Sequence, residues 1–468
     1  MFSTRQNFKK GALLPLLLVL MLLAVAACGG AAPAAAPAKE EAAEPEAEAV
    51  EEEAAVEEAE EAPSDEVQEV TLSFWTFVDA HADFYLAQAE RFNEAHPNIK
   101  ITLEPTSSPY QEMHDKLLIA LQSGAGAPDI VDIEIGKFGT FLRGDIQLHD
   151  LSPIVDKHKD DLIQERLAPY QFEGVQYGIP THLGAFVMYY NTELLEQAGV
   201  DVDSIVTWDD YIEAGKKVKE ETGAMMATVE TTDRFTILSL MLQNGGGTYD
   251  AEGNLVMDSP ANVEAVQLLS DMYHKHQILD IAPGGYHHDP SYYTAINNGE
   301  YASVWMPQWY MIRFKEFMPD LEGKMVVRPM PVFKEGGFVS TMGGGTGTTI
   351  TKQIDPDKVD IAMEFLEFSK LTYDANVLIW TNFGLDPFRL DVYDDPALNE
   401  ADSYFSDEKV MQNIKGMLDN LAPEYTGPYY PEAVLELRDK IAFEIIEENG
   451  DPATLLKASA EQVQALQP

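Results

Sequence analysis

Asp132 and Glu134 alternate with Ile133 and Ile135 in DIVDIEI, a pattern that places acidic side chains along an extended segment. A carboxylate at the carboxyl end of a strand can accept hydrogen bonds from two hydroxyl groups, and Glu134 is the better placed of the two. Acidic residues are abundant enough for hydrolytic chemistry, but glycoside hydrolysis needs two carboxyls facing across one bond, and no motif singles out such a pair. His287-His288-Asp289 carries metal-ligand residue types. A metal site needs a convergent third or fourth ligand, none is evident, and a solvated loop is expected there. Asp201 and Asp203 lack the further oxygens and the glycine of a calcium loop. Gly343 to Gly347 lacks the lysine and Ser/Thr pattern of a nucleotide phosphate loop, and flexibility is its expected use. Nothing in the chain calls for a cofactor. Cys28 is the only cysteine, so a disulfide within the chain is excluded and stability must come from a hydrophobic core.

These residues need a scaffold. Val70–Phe77 alternates and is β-branched and aromatic, which predicts a strand. Helices are predicted over Ala82–Glu94 and Tyr110–Ser123, with strands over Ile99–Glu104 and Asp129–Ile135. That β-α-β-α-β order implies a parallel sheet with helices on its faces, and ligands then lie beyond the carboxyl ends of the strands. The loops after Phe77 and Ile133 are therefore candidate ligand loops. Tyr177–Tyr190 is a long extended apolar run, read as a crossing segment. Asn191-Thr192 caps a helix over Glu193–Ala198, and another runs from Thr207 to about Thr222. Further helices are predicted at 233–242, 260–276, 293–298, 357–370, 407–422 and 431–448. Short strands are predicted at 304–306, 326–330 and 348–351. About 400 globular residues normally divide into two domains.

The amino terminus carries Arg5, Lys9 and Lys10, then an apolar run from Ala12 to Ala27. The run is shorter than the roughly 20 residues of a spanning helix and reads as a secretory signal. Val25-Ala26-Ala27-Cys28 resembles a bacterial lipobox, which implies a signal peptide over 1–27, cleavage before Cys28 and lipid on that cysteine. The formal net charge is -48. From Lys39 to Glu69 there are fourteen Glu and Asp65 against one Lys, leaving a charge of about −34 on the rest. Such an Ala/Pro/Glu segment self-repels and cannot bury apolar surface, so 28–66 is read as a lipidated tether. An acidic surface argues against nucleic acid and against anionic lipid headgroups.

From residue 67 onward the chain resembles the extracellular solute-binding proteins of family 1, the group that contains maltose-binding protein. The resemblance is carried by LSFWTF with Asp79 following, FNEAHPNIKITLE, KLLIALQSGAGAPDIVDIE and GVQYGIPTHLGAFVMYYNTELLEQAGVD. It continues through TWDDYIEAGKKVKEETG, NNGEYASVWMPQWY, MGGGTGTTITK and IAMEFLEFSK, in order. It implies an α/β fold of two discontinuous lobes joined by a hinge. Lobe 1 would hold about 67–180 and 345–390, and lobe 2 about 181–344 and 391–468, with crossings near Pro180 and Gly345. It also implies a monomeric, non-enzymatic lipoprotein that captures a mono- or oligosaccharide and delivers it to ABC permease subunits. Its location would be the outer face of the cytoplasmic membrane, or the periplasm where an outer membrane exists, with the lipid as its sole membrane attachment.

A sugar site combines aromatic surfaces with hydroxyl partners. By resemblance Trp309 is the first choice for a ring under the ligand, followed by Trp305 and Tyr310. Trp305 is either a contact or core, while Trp208 and Trp75 read as structural. Asp79 is a ligand contact or a helix N-cap. Glu134 and Gln243 are candidate polar contacts, Gln243 ahead of Asn244, which reads as a helix C-cap feature. Asp386 and Arg389 in GLDPFR approach the ligand or form an exposed salt bridge. Two other readings stay open: a quaternary amine held in an aromatic cage, and a secreted glycoside hydrolase.

Overall fold

The computed structural model describes residues 67–468. The signal-like segment, Cys28 and the Ala/Pro/Glu run lie outside the described residues.

β1 (Gln68–Thr76) buries Val70, Leu72, Phe74 and Thr76 along one face, as its alternation requires. It is followed by α1 (Asp79–Ala95), β2 (Ile99–Ser107), α2 (Tyr110–Ser123) and β3 (Ile130–Glu134). Gly124 ends α2 in the left-handed conformation, at φ 76°, where a side chain would be strained. β1 pairs in parallel with both β2 and β3. Two segments from far along the chain complete the sheet. Thr346–Ile350 lies antiparallel to β3, and Ile179–Pro180 lies antiparallel to Thr346–Ile350. β3 is buried at every position, the mark of a central strand covered on both faces.

The apolar run Tyr177–Tyr190 is not one continuous strand. Ile179–Pro180 stays in the first sheet, and Phe186–Asn191 becomes the middle strand of a second. There it is flanked by Ser303–Pro307 and Met325–Arg328, both antiparallel to it. The Asn191 side chain caps the helix Thr192–Gln197 by accepting from the Leu194 N–H. Thr207 and Asp210 form a reciprocal capping box on Trp208–Thr222. The helix predicted over 407–422 shrinks to Val410–Lys415. A short 3-10 turn and the strand Leu421–Ala422 follow, the latter paired with Ser340–Thr341. Asp407 sits at φ 59°, outside helical space, so the helix cannot begin there. Helices at Tyr373–Phe383 and Pro452–Gln464, capped by Thr372 and Asp451, have no counterpart in the sequence reading. Among the described residues no helix is long and apolar enough to cross a membrane.

The two passages between the sheets run side by side. Gly343 N–H donates to the Gly184 carbonyl at 2.9 Å, and Thr181 N–H donates to the Thr346 carbonyl at 3.1 Å. The fully buried Arg166 clamps both, giving Nε–H to the His182 carbonyl and Nη2–H to the Gly344 carbonyl, each at 2.8 Å. Lys370 donates to the Thr181 hydroxyl at 2.8 Å, from within the same buried polar layer.

Candidate functional site

A cleft of about 850 Å³ opens beyond the carboxyl ends of β1, β2 and β3. On that side it is lined by Phe77 and His81 after β1, Tyr110 at the start of α2, and Glu134 closing β3. Facing them are Asp233, Arg234 and Phe235, then Tyr286 and His288, then Trp309 after the strand Ser303–Pro307. Gly344 and Gly345 supply wall from the second passage, Thr346 from the strand that follows it, and Ile379 and Phe383 from the helix Tyr373–Phe383. A cleft of this size, with mixed aromatic and hydrogen-bonding walls, suits a small organic ligand.

Glu134 is the most heavily held side chain of the cleft. Its Oε2 accepts from Gly136 N–H at 2.7 Å and from the Tyr110 hydroxyl at 2.9 Å. Its Oε1 accepts from Arg234 Nη2 at 2.8 Å, across the cleft. A Cβ on Gly136 would sit 2.8 Å from Oε2, so glycine is what lets the carboxylate fold back over its own backbone. The Glu134 N–H donates to His114 Nε2, while His114 Nδ1 meets the Tyr110 carbonyl, a pattern that fits a neutral imidazole protonated on Nδ1. Burial lowers the His114 pKa accordingly. Burial also opposes the Arg234 charge, but Glu134 and Asp233 outweigh it and raise its pKa. Asp233 is shifted upward by burial, with Arg234 pulling the other way.

Trp309 is half-buried. Its indole N–H donates to the Gly343 carbonyl at 3.1 Å, tying the ring to the second passage. One ring contact is His288, stacked at 5.5 Å and 19°, and another is Phe235, edge-on at 5.6 Å. Burial lowers the His288 pKa to about 4, so this imidazole is neutral at neutral pH. The loop carrying it is not solvated, which corrects the expectation for His287-His288-Asp289. His287 is 1% exposed, bonded to Thr228, and its carbonyl accepts from the Tyr310 hydroxyl.

Of the sequence candidates, Trp309 and Glu134 line the cleft and the others do not. Trp305 is 1% exposed and packs edge-on against Trp208 at 5.7 Å, so it is core. Tyr310 is completely buried beneath Trp309. Gln243 spends its amide on structure, accepting from Trp208 Nε1 and donating to the Pro331 and Phe338 carbonyls. Asp386 accepts from Gly184 N–H, Ala185 N–H and His182, so it anchors the first passage rather than a ligand. Arg389 is consumed by Asp161, Asp391 and the Leu371 carbonyl. Asp79 is exposed in the first turn of α1 and caps nothing, while its neighbours Val78, Ala80 and His81 reach the cleft. Arg234, His81, Tyr110, His288 and Phe383 were missed. Arg234 had a weak signal, an arginine at the start of the helix predicted over 233–242. The others depend on which loops meet in space.

The sequence profile of the bacterial extracellular solute-binding proteins matches residues 79–370. An arabinooligosaccharide-binding protein of Halalkalibacterium halodurans is 40% identical over 405 residues, covering 86% of this chain and 91% of that one. The arabinooligosaccharide-binding protein of Bacillus subtilis is 44% identical over 345 residues, covering 74% and 79%. The sugar-binding protein MalE from Xanthomonas citri superposes with a TM-score of 0.71 over 84% of this chain and 96% of that chain. At 18% identity this likeness concerns the fold, two α/β lobes around a cleft.

Proposed function

Because this chain belongs to the bacterial extracellular solute-binding proteins, we propose that it captures an arabino-oligosaccharide in the cleft and delivers it intact to an ABC importer. The observation that supports this most is the similarity to the two arabinooligosaccharide-binding proteins, at 40% identity over 405 residues and 44% over 345. The chemistry agrees. Trp309 offers an aromatic surface for the apolar C–H face of a sugar ring. Glu134 accepts from hydroxyls, and Arg234 and Tyr110 complete the polar side.

In this reading the lobes are about 67–180 with 345–390, and about 181–344 with 391–468. The passages at 181–185 and 341–345 are the hinge. Ligand touches both lobes, so its full contact energy exists only when the cleft is shut, and it shifts the population toward closure. Cys28 carries the lipid, 29–66 is the tether, and the protein acts as a monomer on the outer face of the cytoplasmic membrane. Cys28→Ala is expected to abolish lipid labelling of the expressed protein.

The deciding experiment is calorimetric titration with arabino-oligosaccharides and malto-oligosaccharides of equal length, followed by recovery of the bound sugar. Tight binding of the arabinose series and an unchanged sugar are expected. Preference for the maltose series, or a hydrolysed product, refutes the proposal.

A further inference from the structure

The Glu134–Arg234 pair is the feature of the cleft that ligand chemistry alone does not explain. Glu134 ends β3 of the first sheet. Arg234 precedes the helix Phe235–Gln243 and follows the strand Ala227–Val229, which runs beside Ser303–Pro307 of the second sheet. Their 2.8 Å contact therefore links one wall of the cleft to the other. The two side chains are only 11% and 12% exposed, so water screens the pair weakly.

Both partners are fixed before they meet. Glu134 is held by the Gly136 N–H and the Tyr110 hydroxyl. Arg234 lies over the Phe235 ring at 5.0 Å, with Asp233 3.5 Å from its Nη1. Arg438 and Asp439, which pair with each other, line the same part of the cleft. Little side-chain freedom is lost when the clasp forms, whereas exposed ion pairs contribute little because they lose much of it and are screened. Separating the walls would leave the Glu134 carboxylate with its two local donors and Arg234 with Asp233.

We propose that Glu134 and Arg234 form an interlobe clasp that holds the empty protein largely closed, so that ligand enters a cleft already near its final geometry. The proposal rests on the two-lobe binding reading but not on the identity of the sugar. A pre-closed cleft raises apparent affinity, because less of the ligand's contact energy is used to shift the hinge. The same clasp slows entry, since it must open transiently before ligand passes.

The test uses no ligand, so its failure is separate from failure of the arabino-oligosaccharide assignment. In the full chain with Cys28→Ser, spin labels are placed on Ile119→Cys of α2 and Lys217→Cys of the helix Trp208–Thr222, both exposed positions. Pulsed dipolar spectroscopy then reads the distance between the lobes. The ligand-free parent is expected to populate mainly the short distance. Glu134→Gln and Arg234→Gln should each move the closed-to-open ratio about tenfold toward open, a shift of about 1.4 kcal/mol. The double variant should go no further than either single one, because each already removes the whole pair. Thermal unfolding of each variant confirms a native fold, and the isosteric Glu134→Gln alone decides the matter if Arg234→Gln does not fold. A parent already fully open without ligand overturns the clasp, as do variants with an unchanged ratio or a double variant that shifts by the product of the two.

Discussion

Trp309→Ala tests both halves of what this ring does. In the ligand-free protein the indole stacks on His288, meets Phe235 edge-on and donates to the Gly343 carbonyl. Truncating a fully buried aromatic to alanine costs about 3–5 kcal/mol, and a half-buried one roughly half of that. The lost hydrogen bond is included, worth about 1 kcal/mol. A stability loss of about 1.5–2.5 kcal/mol is therefore expected in urea unfolding of the empty protein. The affinity effect is separate. A sugar ring covering about 60 Å² of indole at about 25 cal/mol per Å² contributes about 1.5 kcal/mol, or roughly tenfold in Kd. Trp309→Phe helps to separate the two causes, since it keeps a smaller ring face and loses the N–H. It should lose about 1 kcal/mol of stability and only a few-fold of affinity, measured by calorimetry on arabino-oligosaccharides. An alanine variant with unchanged Kd would show that the ring is packing alone. A phenylalanine variant as weak as alanine would move the cause from the ring face to the bond on Gly343.

Gly345→Ala should cost about 3–5 kcal/mol. Gly345 sits at φ +91°, and a Cβ there would lie 2.1 Å from Arg166 Nη2, so left-handed strain adds to disruption of the clamp on Gly344. Gly336→Ala, at φ +75° with nothing within 4 Å, isolates the strain at about 1 kcal/mol, and equal losses at the two sites in urea unfolding would refute the clamp. Burial pushes the Lys370 pKa down to about 7, with Asp132 partly opposing it. The unfolded chain keeps that proton up to its ordinary value of about 10.4, so between about pH 7 and 10 the unfolded state binds more protons and stability rises with pH. Lys370→Met should flatten this rise between pH 7 and 9, and parallel curves for parent and variant would refute it.

The sequence by itself determined the local structure and the class of protein. Alternation in VTLSFWTF set β1, helical spacing of Met113, Leu117 and Leu121 set α2, and Thr207 with Asp210 set a helix start, because each depends only on neighbours within a turn or two. The ordered segments from LSFWTF to IAMEFLEFSK carried the family and its two-lobe fold. What only the tertiary structure decided was the use of each polar or aromatic side chain. Trp305 and Trp309 stand four residues apart in one motif, yet one is core beside Trp208 and the other lines the cleft. Asp386, Gln243 and Arg389 are as polar as Glu134, but backbone groups and charges from distant segments claim them first. Arg234 became a site residue because its loop is carried 100 positions along the chain to face Glu134. A side chain's partners are fixed by which loops meet across the cleft, and that meeting is a property of the packed lobes rather than of any local stretch of sequence.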